Sequence, residues 1–254
     1  MGYSKIVLHE YGGPEVLQVE EEAMLPEPKS NEVRIRVQAS SAAFTDCMVR
    51  EGKYPGTRGV KPPMTPGYDM VGVVDKVGTA VKRLKVGQKV AELTVYGAYT
   101  EYLCLAEDRL VPVPEELDPA EAVSMILSYM TAYQMLHRFA KVKLGDKILI
   151  TGAGGAVGTA LLQLGQLKGL EMYGTESERK LELVSSLGGT PINYKTEQVP
   201  QRIKELCPTG VDAVFDGVGD FLSSYRMLNQ RGTLVRYGVA SAGTRWTLGT
   251  LLHL

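Results

Sequence analysis

The residues best suited to chemistry form one run, Lys147-Ile-Leu-Ile-Thr151-Gly152-Ala-Gly154-Gly155-Ala156-Val157-Gly158. An apolar strand passes straight into a glycine cluster and then into an apolar, helix-forming stretch. Glycine permits a tight turn and lets backbone N–H groups approach a pyrophosphate, and a helix N-terminus favours that negative charge. Gly152, Gly155 and Gly158 space as GxxGxxG rather than the commoner GxGxxG. The run lies between a strand and a helix and opens a βαβ series, the context a dinucleotide site requires. The same glycines could instead serve only to pack helix on sheet. The next strand, Leu170 to Gly174, leads into Thr175-Glu176-Ser177-Glu178-Arg179-Lys180. An acidic residue about 20 positions beyond the glycines can hold the ribose 2′-hydroxyl of NADH, which suits Glu176. Ser177, Arg179 and Lys180 offer donors and positive charge for a 2′-phosphate, which suits NADPH. NADPH is the expected cofactor, with NADH open; a solvated first helical turn is the alternative for residues 178–180.

The elements around this run alternate. Strands are expected at 147–151, 170–174, 191–194, 212–216 and 233–237, and helices near 155–168, 178–187, 198–206 and 220–229, a pattern that implies a parallel sheet covered on both faces. Asp118-Pro119-Ala120-Glu121 reads as a helix start. Before it the chain reads as β: Val33 to Val37 alternates apolar and polar, and Met70–Val74, Lys89–Leu93 and Thr100–Leu105 are further short strands punctuated by Gly and Pro. A small barrel or partly open sheet follows. The expected division is a β domain over 1–122 and a dinucleotide-binding domain over 123–254.

Composition narrows the function. The chain has 254 residues, 44% hydrophobic and 22% charged, with a net charge of −1. That is globular, and gives no electrostatic case for nucleic acid or an anionic membrane. Cys47, Cys104 and Cys207 are scattered and odd in number, which favours a reducing compartment over a disulfide framework. Met1 to Gly13 lacks the apolar run of a signal peptide. Ala120 to Leu136 is too short and polar to span a bilayer and is read as a buried helix. A cytoplasmic location is expected.

Four blocks carry a family likeness: Ala39 to Pro55 with Phe44-Thr45-Asp46 and Gly52-Lys53-Tyr54-Pro55; Thr65-Pro66-Gly67-Tyr68-Asp69-Met70-Val71-Gly72; Gly97-Ala98-Tyr99-Thr100-Glu101-Tyr102; and the Gly152 loop. With them the chain resembles the medium-chain dehydrogenase/reductase superfamily, in its zinc-free quinone oxidoreductase (zeta-crystallin-like) branch. The resemblance implies an α/β protein, a GroES-like domain followed by a Rossmann domain, with the nicotinamide in the cleft between them. It puts Ala43 and Tyr68 where zinc-dependent relatives carry Cys and His, so no metal is expected. It implies cofactor contacts at Thr131, Gly152, Gly155, Ala156, Val157, Gly158, Thr175, Ser177, Lys180, Tyr194, Gly217, Gly238, Val239 and Ala240. Tyr54 and Tyr68, with Tyr99 beside them, are candidate proton donors. Ala43 also replaces an Asn common in quinone oxidoreductases.

The activity so implied is zinc-independent hydride transfer from NADPH to a quinone or an α,β-unsaturated carbonyl, with a small-molecule substrate. The alternatives are a non-catalytic NADPH-binding protein or fragment needing a partner, and an enoyl reductase piece of a biosynthetic assembly. Relatives usually continue beyond the position of Leu254, so the fold is expected to be truncated at the C-terminus. A homodimer is possible, but the region that usually forms it is absent.

Overall fold

The computed structural model describes residues 2–238. Contacts divide the chain into two compact units, Met1–Leu127 and Ser128–Leu254. This falls five residues beyond the expected 122/123 division, inside one continuous helix, Pro119–Gln134. A helix started by strong local signals need not stop where the packing changes. Asp118 Oδ1 accepts from Ala120 N at 2.8 Å and Glu121 N at 3.1 Å, with Pro119 at the first position, as the sequence indicated.

In the first unit β1 (Tyr3–Leu8) and β2 (Leu17–Glu22) form an antiparallel hairpin that the sequence reading did not find. Glu20, Glu21 and Glu22 hide its alternation. β3 (Glu32–Ala39), β4 (Met70–Val77), β5 (Lys89–Glu92), β6 (Tyr102–Ala106) and β7 (Val111–Pro112) make one antiparallel sheet in the order β6-β3-β4-β5-β7. Single bridges, Lys5 to Thr100 and Leu8 to Met64, tie the hairpin to segments of the same unit. The result is a partly open sheet rather than a closed barrel. Val33, Ile35, Met70, Val74 and Val90 point into one core, as period-2 alternation requires. One short helix, α1 (Phe44–Arg50), follows β3.

The second unit holds the expected parallel sheet. β8 (Lys147–Thr151), β9 (Glu171–Glu176), β10 (Thr190–Asn193), β11 (Val211–Asp216) and β12 (Leu228–Arg236) pair in the order β10-β9-β8-β11-β12, every pair parallel. The helix across the boundary is α2 (Pro119–Gln134), extended by a π-helical turn over Met135–Phe139. α3 (Ala156–Lys168) and α4 (Leu181–Ser186) share one apolar cluster with Ile148, Ile150 and Phe215, while α5 (Val199–Leu206) joins Leu149, Tyr173 and Val214 on the opposite face. Adjacent strand residues go to opposite layers, so these strands read as unbroken apolar runs. α6 (Phe221–Arg226) is shorter than the expected 220–229, because β12 starts at Leu228 rather than at 233. The strand order reverses between β8 and β11. Ligands in such sheets bind beyond the carboxyl ends of the strands at that reversal.

Candidate functional site

β8 ends in Thr151 and β11 in Asp216, side by side at the reversal. Asp216 is fully buried. Its Oδ1 accepts from Thr151 Oγ1 at 3.1 Å, Val218 N at 3.0 Å and Gly219 N at 2.8 Å. Thr151 Oγ1 in turn accepts from Gly217 N at 2.9 Å. These bonds pin the two loops that leave the sheet here. Neither residue was singled out from sequence, though each is the polar residue that closes an apolar strand.

The glycine loop follows β8 directly. Gly152 sits at φ +68°, a left-handed conformation that favours glycine, and its N–H donates to Thr175 Oγ1 at 3.3 Å. A Cβ on Gly158 would lie 2.5 Å from Gly152 O and 2.6 Å from Ala153 O, so only glycine lets α3 pack this tightly on the loop. Gly155 is the N-cap of α3, with no side chain closing it. The first helical N–H groups therefore meet no protein cap, the arrangement that attracts an anion. Ala156 is exposed, and Val157 packs on the sheet-side core.

A cavity of about 680 Å³ opens beside the loop, lined in part by Thr151, Gly152, Thr175, Tyr194, Asp216 and Val218. It brings together the predicted Gly152, Thr175 and Tyr194. Ser177 and Lys180 lie nearby but are engaged with other groups. Ser177 N donates to Glu176 Oε2 at 2.7 Å, and Lys180 Nζ donates to Gly154 O at 2.6 Å. Gly217 and Gly238 abut: a Cβ on Gly217 would lie 2.7 Å from the Tyr237 hydroxyl, and one on Gly238 would run into the Gly217 backbone. Burial, with Asp216 close by, pushes the Tyr237 phenol up, so it stays protonated. Thr131 lines a separate groove with Gln134, Phe139 and Tyr237. Val239 and Ala240 lie outside the described residues.

In the first unit the predicted phenols do meet. The Tyr54 and Tyr68 hydroxyls are hydrogen-bonded, with the rings edge to face and centroids 5.4 Å apart. Tyr99 donates to Ser41 O at 3.0 Å. Two carboxylates missed as site residues are buried beside them. Asp46 Oδ2 accepts from Ala43 N at 2.8 Å, and its Oδ1 has no partner. Asp69 accepts from Ser41 N at 2.9 Å and Ser41 Oγ at 2.8 Å. Burial raises both acids above the usual carboxylate range. Burial also raises Tyr68, reinforced by its bond to Tyr54, and raises Tyr99, reinforced by Asp46. No spacing rule would have paired these residues, because the fold rather than a local motif collects them.

Comparison with known proteins agrees with this architecture. Residues 29–115 match the alcohol dehydrogenase GroES-like domain, and residues 156–253 match the family described as zinc-binding dehydrogenase. Mouse quinone oxidoreductase is 32% identical over 241 residues, covering 92% of this chain and 72% of its own length. The chain belongs to the quinone oxidoreductases of the medium-chain dehydrogenase/reductase superfamily. The zebrafish synaptic vesicle membrane protein VAT-1 homolog is 35% identical over 243 residues, 94% of this chain. The chain spans only 50% of that relative's length. An Escherichia coli quinone oxidoreductase solved in complex with NADPH superposes with a TM-score of 0.88 at 29% identity, covering 98% of this chain and 77% of that one.

Zinc ligation does not suit the residues present. Ala43 offers no donor, and the Tyr68 hydroxyl is held by Tyr54. Among the described residues no three His, Cys, Asp or Glu side chains gather as a metal set. No helix among them is long and apolar enough to cross a membrane.

Proposed function

We propose that the chain binds a nicotinamide dinucleotide in the cavity beside the glycine loop and reduces a quinone or an α,β-unsaturated carbonyl. The observation that carries the reading is that cavity itself: about 680 Å³ at the carboxyl ends of β8, β9 and β11, beside an uncapped helix N-terminus. Gly152, Gly155, Ala156, Val157 and Gly158 hold the pyrophosphate, chiefly through backbone N–H groups. Thr175 and Tyr194 wall the adenosine end. Thr131, Gly217, Gly238, Val239 and Ala240 are assigned to the nicotinamide end. The reduced nicotinamide supplies the hydride when bound.

The acceptor's oxygen gains negative charge as its carbon is reduced, and a positioned donor lowers that barrier. Tyr54 is assigned that role. Tyr68, whose ionisation burial suppresses, stays protonated across the neutral range, and its hydroxyl is bonded to that of Tyr54. NADPH is the cofactor that Ser177 and Lys180 favour on sequence grounds and that the E. coli relative was solved with. It differs from NADH by one 2′-phosphate.

The test is loss of nicotinamide absorbance with a panel of quinones and enones. Turnover is expected. Tyr54→Phe should lower kcat by on the order of 10²-fold while leaving dinucleotide affinity unchanged. Saturable binding with no turnover on any acceptor would contradict the reductase reading and leave a binding protein.

A further inference from the structure

Asp216 closes β11 at the wall of the cavity and is fully buried. Its two oxygens differ. Oδ1 accepts from Thr151 Oγ1, Val218 N and Gly219 N, while Oδ2 has no hydrogen-bond partner among the described residues. Arg236 Nε stands 3.8 Å from Oδ2, buried and likewise without a partner there. That distance is too long for a hydrogen bond, so charge alone links the two groups. Arg236 closes β12 in direct register with Asp216, and only 13% of its side chain is exposed. Its guanidinium carbon lies 6.0 Å from the centre of the Phe221 ring. Among the described residues it is the one cation within ion-pair distance of Asp216. The other ionisable neighbours bring no positive charge. Burial, with Asp216 close by, pushes the Tyr237 phenol up, and Asp220, on the same cavity wall, is an acid that caps α6.

Asp216 is the point on which three strand ends meet. Its side chain holds the loop after β11 and reaches β8 through Thr151, which directly precedes Gly152 of the glycine loop. Its carbonyl accepts from Tyr237 N at 3.0 Å and Gly238 N at 3.4 Å at the end of β12. A carboxylate taken out of water is strongly disfavoured unless a cation balances it, and removing one partner of such a pair is far more damaging than removing both. We infer that Arg236 is a positioning residue of the dinucleotide site: its charge balances the buried Asp216 carboxylate, and Asp216 so held keeps the glycine loop and the loop after β11 in place. The inference rests on the dinucleotide reading above. Packing against Phe221 is a separate contribution, which an uncharged side chain of similar length also makes.

The test is equilibrium titration of the 254-residue chain and its variants with NADPH and with NADH. Arg236→Met keeps the contact with Phe221 but removes the charge, and affinity for both dinucleotides should fall at least about tenfold. Arg236→Lys keeps the charge and should bind at least about threefold more tightly than Arg236→Met. Asp216→Asn leaves Arg236 buried without a counter-charge and should also weaken binding. With both Arg236→Met and Asp216→Asn neither charge remains, and the amide oxygen still accepts from the loop. That double variant should bind at least about threefold more tightly than Arg236→Met alone, a cancellation that loss of shape would not give. Unchanged binding by Arg236→Met, no recovery with lysine, or a double variant weaker than both single ones overturns the inference while sparing the dinucleotide reading. If circular dichroism shows that Arg236→Met does not fold, the double variant decides: folded and binding it supports the inference, and otherwise it overturns it. No binding by the parent chain overturns both.

Discussion

The two units gather polar groups in opposite ways. In the second unit the groups are mostly backbone: a helix start, a left-handed glycine and two strand ends clamped by Thr151 and Asp216. In the first unit they are side chains from distant segments, with Tyr54 bonded to Tyr68, Asp46 accepting from Ala43 N, and Asp69 held by Ser41. A backbone-built site needs a local sequence with particular steric freedoms, and it suits a ligand shared by many proteins. A site built from side chains depends on the whole fold and can be retuned one residue at a time. The contrast therefore divides the proposed work: the second unit holds the cofactor, and the first supplies donors to the acceptor.

The largest effect expected is on the sheet that carries the backbone-built site. Phe215 is fully buried on β11, next to Asp216. Phe215→Ala should cost about 3–5 kcal/mol in urea unfolding. A loss below about 1 kcal/mol would mean that this strand is not central to the core. Next comes the clamp. Thr151→Val leaves Gly217 N–H without its acceptor and Asp216 with one donor fewer, which should cost about 1–3 kcal/mol and weaken dinucleotide binding. Tyr68→Phe, the matching change in the first unit, should lower turnover and leave that binding unchanged. If both variants altered binding equally, the division of work would fail.

The buried carboxylates sharpen the comparison through pH. Burial raises Asp46, so the folded protein keeps this proton to higher pH than the unfolded chain does. Its contribution to stability is present below the unfolded value, about 4, and is lost as pH rises through the higher folded value. Asp46→Asn retains an acceptor for Ala43 N–H but cannot ionise. The variant should therefore gain on the wild type as pH rises above about 4, measured by urea unfolding at each pH. A difference that stays constant with pH would show that Asp46 is not perturbed. The smallest effect belongs to the surface. Arg109 donates from Nε at 3.0 Å and from Nη2 at 2.8 Å to Glu92 Oε1, and Arg109→Ala should cost no more than about 1 kcal/mol.

The same contrast explains what the sequence revealed. The parallel sheet was legible because its strands are short, unbroken apolar runs joined by helices, and a glycine loop announces its first turn. Gly152 and Gly158 could be named because their steric demands are local. The Tyr54–Tyr68 pair was named only through the family likeness. Asp46, Asp69 and Ser41 escaped as site residues because their partners come from other elements of the fold. The β1–β2 hairpin was hidden by Glu20, Glu21 and Glu22, which are satisfied by His9, Ser4 and Lys5 respectively rather than by alternation. Lys180 was expected to face a phosphate; that its side chain also covers Gly154 could not be read from the sequence, because the contact requires the loop's three-dimensional path.

The most direct test of the account is calorimetric titration of the chain and its Gly158→Ala variant with NADPH and with NADH, with far-UV circular dichroism to show that the variant keeps its fold. The account predicts saturable one-site binding by the parent chain. Binding should be lost in the variant, because a Cβ there forces α3 off Gly152 O and Ala153 O. Equal binding by the folded variant, or none by the parent, would contradict a dinucleotide seated on the glycine loop.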